Sequence, residues 1–459
     1  MPEYLDRFSA FLAETERKVF SKELLGEVGQ ILADTVAVIA AGSRELEIRE
    51  LSVRTAALVG PVNATIIGTS LRAEPRMAAL VNGTAGTSLE LDEGNKYSGG
   101  HPGIHVVPAA LATAEIMKAD TDSFLSAIIL GYEAAARVGV SSKLRQNVHV
   151  HGTWGTIGAA VAVGKLKRYT AAQFREVINI AACLNIATNR KAAFSGGTVR
   201  NVNAGAAGHN GMLASDLLDC GFTGEPNALE TIYGSVLSDV FDPDALVEDL
   251  GSRWEISRNY FKLHAACRHV HGALDAAMII RSDNPNISFG PDTIEMVKVE
   301  TFSPATLLDH PTPSNMLAAK FSLPFAVAAT LINGDTSTEG FRPFVVNDPV
   351  VQALSLKVQV IEDPELTSLL PEKSPARVTL EMVGGENISI TRYISKGDSE
   401  DPYDGTTLRR KFDDLTVPIW GHDATNLRAA IDELSTGGDL SALFPLLAVS
   451  QPAERPVTE

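Results

Sequence analysis

The sequence changes texture twice, and this double change limits the fold more than any other feature in it. From its start to about Ala265 it reads as helix, with long Ala, Leu and Val runs bounded by helix starts and stops. Glu23 to Ala41, Arg76 to Leu89, Val106 to Lys118, Ser123 to Val140, Thr153 to Lys167 and Ala171 to Ile186 are the clearest cases. Gly and Ala recur at close spacing, as in GTIGAAVAVG, so helix axes can approach closely. Near Trp254 the character changes. WEISRNYFKL, TIEMVKVETF, LSLKVQVI, ARVTLEMV and ISITRYI alternate or are β-branched, which predicts strands, while His271 to Ile280 and Leu317 to Leu331 stay helical. After Gly397 an acidic loop, GDSEDPYDG, leads back into helix at Thr406 to Phe412 and Ala424 to Leu434, before a tail of Pro, Thr and Glu. The expected chain is therefore mainly α: a large all-helical domain built from both ends, residues 1–265 and 397–459, with an inserted α+β lid domain at 266–396. No internal repeat is visible.

A length of 459 residues suits two domains. A formal charge of −17 argues against nucleic acid or anionic lipid as a partner of the whole surface, so an anionic ligand requires a local cluster of Lys and Arg. No run approaches the roughly 18–20 uncharged apolar residues of a membrane span. Ile31 to Ala41 is apolar but holds Asp34 and stops at Gly42, as a core helix with a Gly C-cap would. The start, MPEYLDRF, resembles neither a signal nor a transit peptide, and the cytoplasm is the expected compartment. Cys183, Cys220 and Cys267 are too few and too scattered for a disulfide framework or a four-Cys site. Cys183 and Cys220 lie in apolar helical text and are expected to be buried.

Histidine carries most of the chemical signal, because seven of the ten fall in three clumps: His101 and His105, His149 and His151, and His264, His269 and His271. Each clump lies at an element boundary next to Gly. In the first, Glu90, Asp92 and Glu93 precede a Gly-rich loop with Lys96, and His101 precedes a helix start, where free N–H groups favour anions. In the second, HVHGTWGTIG, Thr153 is available as a helix cap. The third, FKLHAACRHVHG, lies where helical text passes into the α+β block, and both His269 and His271 are expected to look into a cleft there. Two His-x-His pairs with carboxylates invite a metal. Arg145 and Arg268 beside them oppose one, and acid–base work by imidazole is the simpler use. Arg190, Lys191 and Arg200 surround a Gly-Gly turn and supply the local basic cluster, suited to gripping carboxylates. GxxxxGK[ST], GxGxxG after a strand and Gly-x-Ser-x-Gly are absent.

These segments resemble the MmgE/PrpD family, which contains 2-methylcitrate dehydratases, cis-aconitate decarboxylases and iminodisuccinate epimerases. The resemblance rests on LELDEGNKYSGGHPGIHVVPAALATAE, HGTWGTIGAAVAVGKL, GTVRNVNAGAAGHNGMLA, YFKLHAACRHVHGALDAA and KFSLPFAVAATLING, in that order, and covers nearly the whole chain. It implies a homodimer acting on small di- or tricarboxylates without metal or organic cofactor, in a pocket between helical domain and lid. It also implies site roles for Glu90, Asp92, His101, His149, with His151 as neighbour, and His271. Two positions depart from the family pattern: Arg200 where Lys is usual, and Phe325 where FSLPY would place Tyr.

Making or protonating a carbanion beside a carboxylate needs fixed positive charge and a base that titrates near working pH. The expected assignment gives His101, His149 and His271, with Asp92, the acid–base work, and gives Arg200, Lys96, Lys191, Arg268, His151 and Glu90 the binding of substrate. Losing a phenol and a titratable Lys favours epimerisation of iminodisuccinate, an isomerase activity. The alternatives are 2-methylcitrate-type dehydration, cis-aconitate-type decarboxylation, or a carboxylate-binding protein without activity.

Overall fold

The computed structural model of the protein describes residues 3–58 and 60–449, and the Pro-, Thr- and Glu-bearing tail lies outside them. Long helices build the larger of two apolar cores, among them Lys22–Gly42, Pro75–Ser88, Pro102–Met117, Thr121–Ser141, Gly155–Leu166, Ala171–Cys183 and Val202–Asp219. Ser21, Asp120 and Thr170 begin three of them by accepting the backbone N–H three residues ahead, and Thr170 with Gln173 completes a capping box. Glycine brings the axes together. A Cβ on Gly205 would stand 2.0 Å from the Leu80 carbonyl oxygen, and one on Gly131 would stand 2.8 Å from that of Gly158.

Gly42 does not cap its helix as expected. It is the last helical residue, followed by Ser43 in the right-handed region, and a Cβ there would lie 1.9 Å from the Ala85 carbonyl oxygen. Its small size serves packing, not chain reversal. Lys22–Gly42 and Thr121–Ser141 are long and apolar enough by composition to cross a membrane, but 78% and 89% of those windows are buried inside the protein. Cys183 and Cys220 are exposed, against expectation, because each ends its helix on the solvent side. Late in the chain, Gly405–Trp420 and Asp423–Leu434 return to this core and add Phe412, Leu427, Ile431 and Leu434.

The second core draws mainly on residues between Ala265 and Met382, joined by Val38, Leu89, Leu91 and Ala193. Its sheet holds β1 (Ile294–Thr301), β2 (Val358–Glu362), β3 (Ala376–Met382) and β4 (Asn387–Arg392) in the order β4-β3-β1-β2, with β1 and β2 parallel and the other pairs antiparallel. Val297, Val299, Val378 and Leu380 are fully buried in one cluster with residues of the helices His271–Asp283 and Leu323–Asn333, so the alternation seen in the sequence is the trace of this buried face.

Two segments differ from expectation. WEISRNYF is not one strand: Glu255–Arg258 forms a 3₁₀ turn, held by the buried Glu255 carboxylate with Arg253 and Arg258, and only Asn259–Tyr260 pairs, with Gly94–Asn95. Leu317 to Leu331 breaks into Met316–Lys320 and Leu323–Asn333, because Ser322 caps the second helix and Pro324 fits its first turn.

Candidate active site

The helix Pro75–Ser88 ends beneath a cavity of about 380 Å³, and the carbonyls around its end lack intrahelical partners. Three buried lysines from distant parts of the chain supply them. Lys320 Nζ donates to the Leu89 carbonyl at 3.0 Å, Lys262 Nζ to that of Glu90 at 3.1 Å and Lys411 Nζ to that of Leu91 at 2.8 Å. Cations suit the negative end of a helix. Burial lowers Lys320 to about 8, against the pull of Glu90. Glu90 itself adopts a left-handed backbone, φ 57°, rare for a residue with a side chain. Its buried carboxylate accepts from Arg200 Nη1 and stands 3.7 Å from Lys262 Nζ. Arg200 comes from the turn Thr198–Asn201 that opens the Gly/Ala-rich helix, and its guanidinium also lies over the Phe321 ring.

His101 occupies the cap position of the helix Pro102–Met117, but its ring does not cap it. Nδ1 lies 2.8 Å from the Glu93 carbonyl oxygen and 3.2 Å from Asp92 Oδ2. A carbonyl only accepts, so Nδ1 carries the proton and the Nε2 lone pair is left over. Asp92 does not line the cavity; it sits behind His101, with Oδ1 3.5 Å from Lys262 Nζ. Burial pushes the Asp92 carboxyl up, but His101, Lys262 and Arg200 together outweigh it and hold the group below its usual range. Burial pushes His101 down, against the pull of Asp92.

His101, His151 and His149 form a stack, with ring centroids 5.0 Å and 5.2 Å apart along it. His149 is surrounded by donors, since Arg200 Nε approaches its Nε2 and the His151 backbone N–H approaches its Nδ1, both at 3.1 Å. The neutral ring can accept from only one of these donors, and a second proton would set N–H against N–H at both nitrogens. Burial, followed by Arg200 and Arg190, holds His149 well below the ordinary imidazole value. The Thr153 hydroxyl, expected to cap the next helix, donates instead to the Val150 carbonyl within this turn.

Of the other expected residues, Arg200, Lys96, Arg268, Glu90, His149 and His151 line the cavity with His101. Lys96 is already paired with Glu400 at 2.6 Å, and Arg268 with Asp398 at 2.7 Å. Lys191 and His271 are corrections. Lys191 is exposed and lines nothing here; its neighbour Arg190 faces the cavity and has no carboxylate partner among the described residues. His271 is fully buried behind Arg268, accepting from Arg268 at Nδ1 and donating from Nε2 to the Ala266 carbonyl, both at 3.0 Å. Both of its nitrogens are thus in use, and it contacts the Arg268 guanidinium from outside the cavity. Only His269 of that pair lines the cavity, because Arg268–Val270 is a 3₁₀ turn and the helix begins at His271. Burial, then Arg190, lowers His269 to about 3.

Lys262, Tyr260 and Cys267 are the contributors that sequence reasoning missed, while Arg190 was read only as part of the basic cluster. A Lys in the middle of the apolar segment NYFKLHAA was the available signal for Lys262. Tyr260 reaches the site through its pairing with Gly94, which sets its ring edge-on to His101 at 6.1 Å. Burial raises its phenol well above the usual value, so it stays protonated. Phe325, by contrast, is fully buried in the second core against Phe341 and does not line the cavity. The missing Tyr at that position therefore removes no proton donor from this site. The lining also includes the apolar side chains of Phe302, Leu307, Leu308, Phe321, Leu370 and Pro371.

Asp92, His101 and His151 each bring one potential metal-ligand atom within 4.8 Å of the others. An ammonium 3.5 Å from the carboxylate and near-parallel stacking of the two rings at 14° do not fit a shared cation.

The structure is thus a mainly helical chain with two cores, in which stacked imidazoles and the side chains of Arg190, Arg200 and Arg268 line one cavity. The chain belongs to the MmgE/PrpD family: residues 6–245 match the MmgE/PrpD N-terminal domain and residues 264–436 the C-terminal domain. It is similar to a cis-aconitate decarboxylase-like protein, oryM, of Aspergillus oryzae, 24% identical over 412 residues, 84% of each chain. It is also similar to a cis-aconitate decarboxylase of Aspergillus terreus, 25% identical over 93% of this chain and 91% of that one. A cis-aconitate decarboxylase of Mus musculus is 26% identical over 82% and 79%.

Proposed function

We propose that this protein is an enzyme that generates and protonates a carbanion beside a carboxylate of a small polycarboxylate, using its own side chains. The observation that carries this reading is the imidazole stack in one cavity with Arg190, Arg200 and Arg268. The guanidinium groups hold carboxylates and stabilise the charge that spreads onto one of them as the carbanion forms. Imidazole and the protonated Tyr260 phenol exchange protons with the carbon.

Decarboxylation of a cis-aconitate-like tricarboxylate is the leading form. The relatives' names point to it, and the protonated Tyr260 offers a proton. In that step the bond to the carboxylate carbon breaks, CO₂ leaves, and the electron pair left on carbon takes a proton. Epimerisation of iminodisuccinate is the second reading, favoured by His269 entering from the second core while His101 and His151 belong to the helical core, so that one carbon can meet imidazoles from two elements.

The test is purified protein in D₂O with cis-aconitate and, separately, one stereoisomer of iminodisuccinate, followed by NMR and CO₂ release. CO₂ with deuterium in the product supports decarboxylation. Deuterium at Cα with inversion and no CO₂ supports epimerisation. Tight binding without exchange in either case would overturn the enzymatic reading in favour of a carboxylate-binding protein.

A further inference from the structure

We infer that His105 is a positioning residue that fixes the tautomer of His151 and so makes His151 Nε2 a proton acceptor of the cavity; this rests on the reading that the imidazoles there move protons. His105 Nδ1 lies 2.7 Å from the His101 carbonyl oxygen. Because a carbonyl can only accept, the hydrogen is on His105 Nδ1, and the neutral ring then has a bare Nε2. Burial lowers His105 to about 4, so the neutral ring is the form present near neutrality. His151 Nδ1 lies 3.1 Å from that bare nitrogen. It must donate, which leaves His151 Nε2 as the lone-pair atom. Nε2 is buried and has no hydrogen-bond partner among the described residues, while the residue lines the cavity.

The surroundings hold this relay in place. His151 is clamped between the His101 and His149 rings. His105 is fully buried, edge-on to Trp154 at 5.5 Å, and Gly155 gives it room, since a Cβ there would lie 2.3 Å from the His105 ring. An unpaired buried nitrogen costs stability unless something uses it, and a substrate proton supplies that use. The order is thus backbone carbonyl of His101, His105, His151, then substrate, with His105 never touching the substrate.

The tautomer can be read in the unliganded wild-type protein. With ¹⁵N-labelled histidine, and the signal assigned by its loss in His151→Asn, the expected pattern is a protonated Nδ1 and an unprotonated Nε2 for His151. A proton on Nε2 would overturn the inference. His105→Leu removes the acceptor, and the α-carbon exchange or turnover rate should fall about tenfold or more, with KM changed little, as expected for loss of one orienting hydrogen bond. His105→Gln, whose side-chain carbonyl can accept from His151, should recover most of the rate. A leucine variant that melts normally and is as fast as wild type would also overturn it. If the leucine variant fails to fold, the wild-type spectrum alone decides. Absence of turnover in the wild type would remove the acceptor role together with the proposed function, while the spectrum would still report whether His105 sets the tautomer.

Discussion

Asp92→Asn isolates the contribution of a charge that stands one layer behind the reaction. The substitution keeps the shape of the side chain and removes a carboxylate 3.2 Å from His101 Nδ1. Two unit charges at that separation, with an effective dielectric of about 20, attract by about 5 kcal/mol. Lys262, 3.5 Å from the same carboxylate, offsets part of this. Whenever His101 takes up a second proton during turnover, the variant therefore lacks about 3–5 kcal/mol of stabilisation, or roughly 10²- to 10⁴-fold in kcat. KM should move little, because Asp92 does not line the cavity. Steady-state kinetics on whichever substrate turns over, beside a melting curve to confirm folding, gives both parameters. A kcat within threefold of wild type, or a loss confined to KM, would refute the reasoning and make Asp92 a structural partner of Lys262 only.

Arg200→Met should cost about 3–5 kcal/mol of stability as well as activity, since it leaves Glu90 as a buried charge without its guanidinium partner; urea midpoints should show Glu90→Gln in the same chain restoring part of the stability and none of the activity. Gly42→Ala should destabilise by about 1–3 kcal/mol through collision with Ala85, whereas Gly26→Ala, on the exposed face of the same helix with nothing within 4 Å, should stabilise by about 0.5–1 kcal/mol in thermal melts. Acid should destabilise the protein before the surface carboxylates titrate. His101, His105, His149, His151, His269 and His271 are all depressed, so below about 6.5 the unfolded chain binds protons that the folded chain refuses. Glu93, raised to about 8, Glu133, raised to about 7, and Asp34 act the other way. A net two protons would cost about 3 kcal/mol per pH unit between pH 6.5 and 5. Equal urea midpoints at those two pH values would show that the histidines are charged in the folded state.

The mainly helical character, the four sheet strands and the three histidine clumps could be read from residue order, because each depends on local periodicity or composition. The lysine trio on the carbonyls of Leu89, Glu90 and Leu91 could not, since Lys262, Lys320 and Lys411 come from separate segments that meet only on folding. Gly42 illustrates the same limit: as a letter after an apolar run it suggests a cap, and only the neighbouring helix shows that it is a contact.

The site divides along the same line. Residue types and spacing singled out His101, His149 and Arg200, because histidine next to Gly at helix starts and Arg around a Gly-Gly turn are local patterns; that they share one cavity is a result of folding. Which of two near neighbours faces the cavity was decided by tertiary structure: Arg190 instead of Lys191, and His269 instead of His271. A difference of one or two residues rotates a side chain to another face of its turn, and which face is the inside depends on what packs there. The proton positions are further still from the sequence. Whether an imidazole nitrogen holds a hydrogen or a lone pair is set by the acceptor opposite it, and the carbonyls of Glu93, His101 and Ala266 meet those rings only in the folded chain.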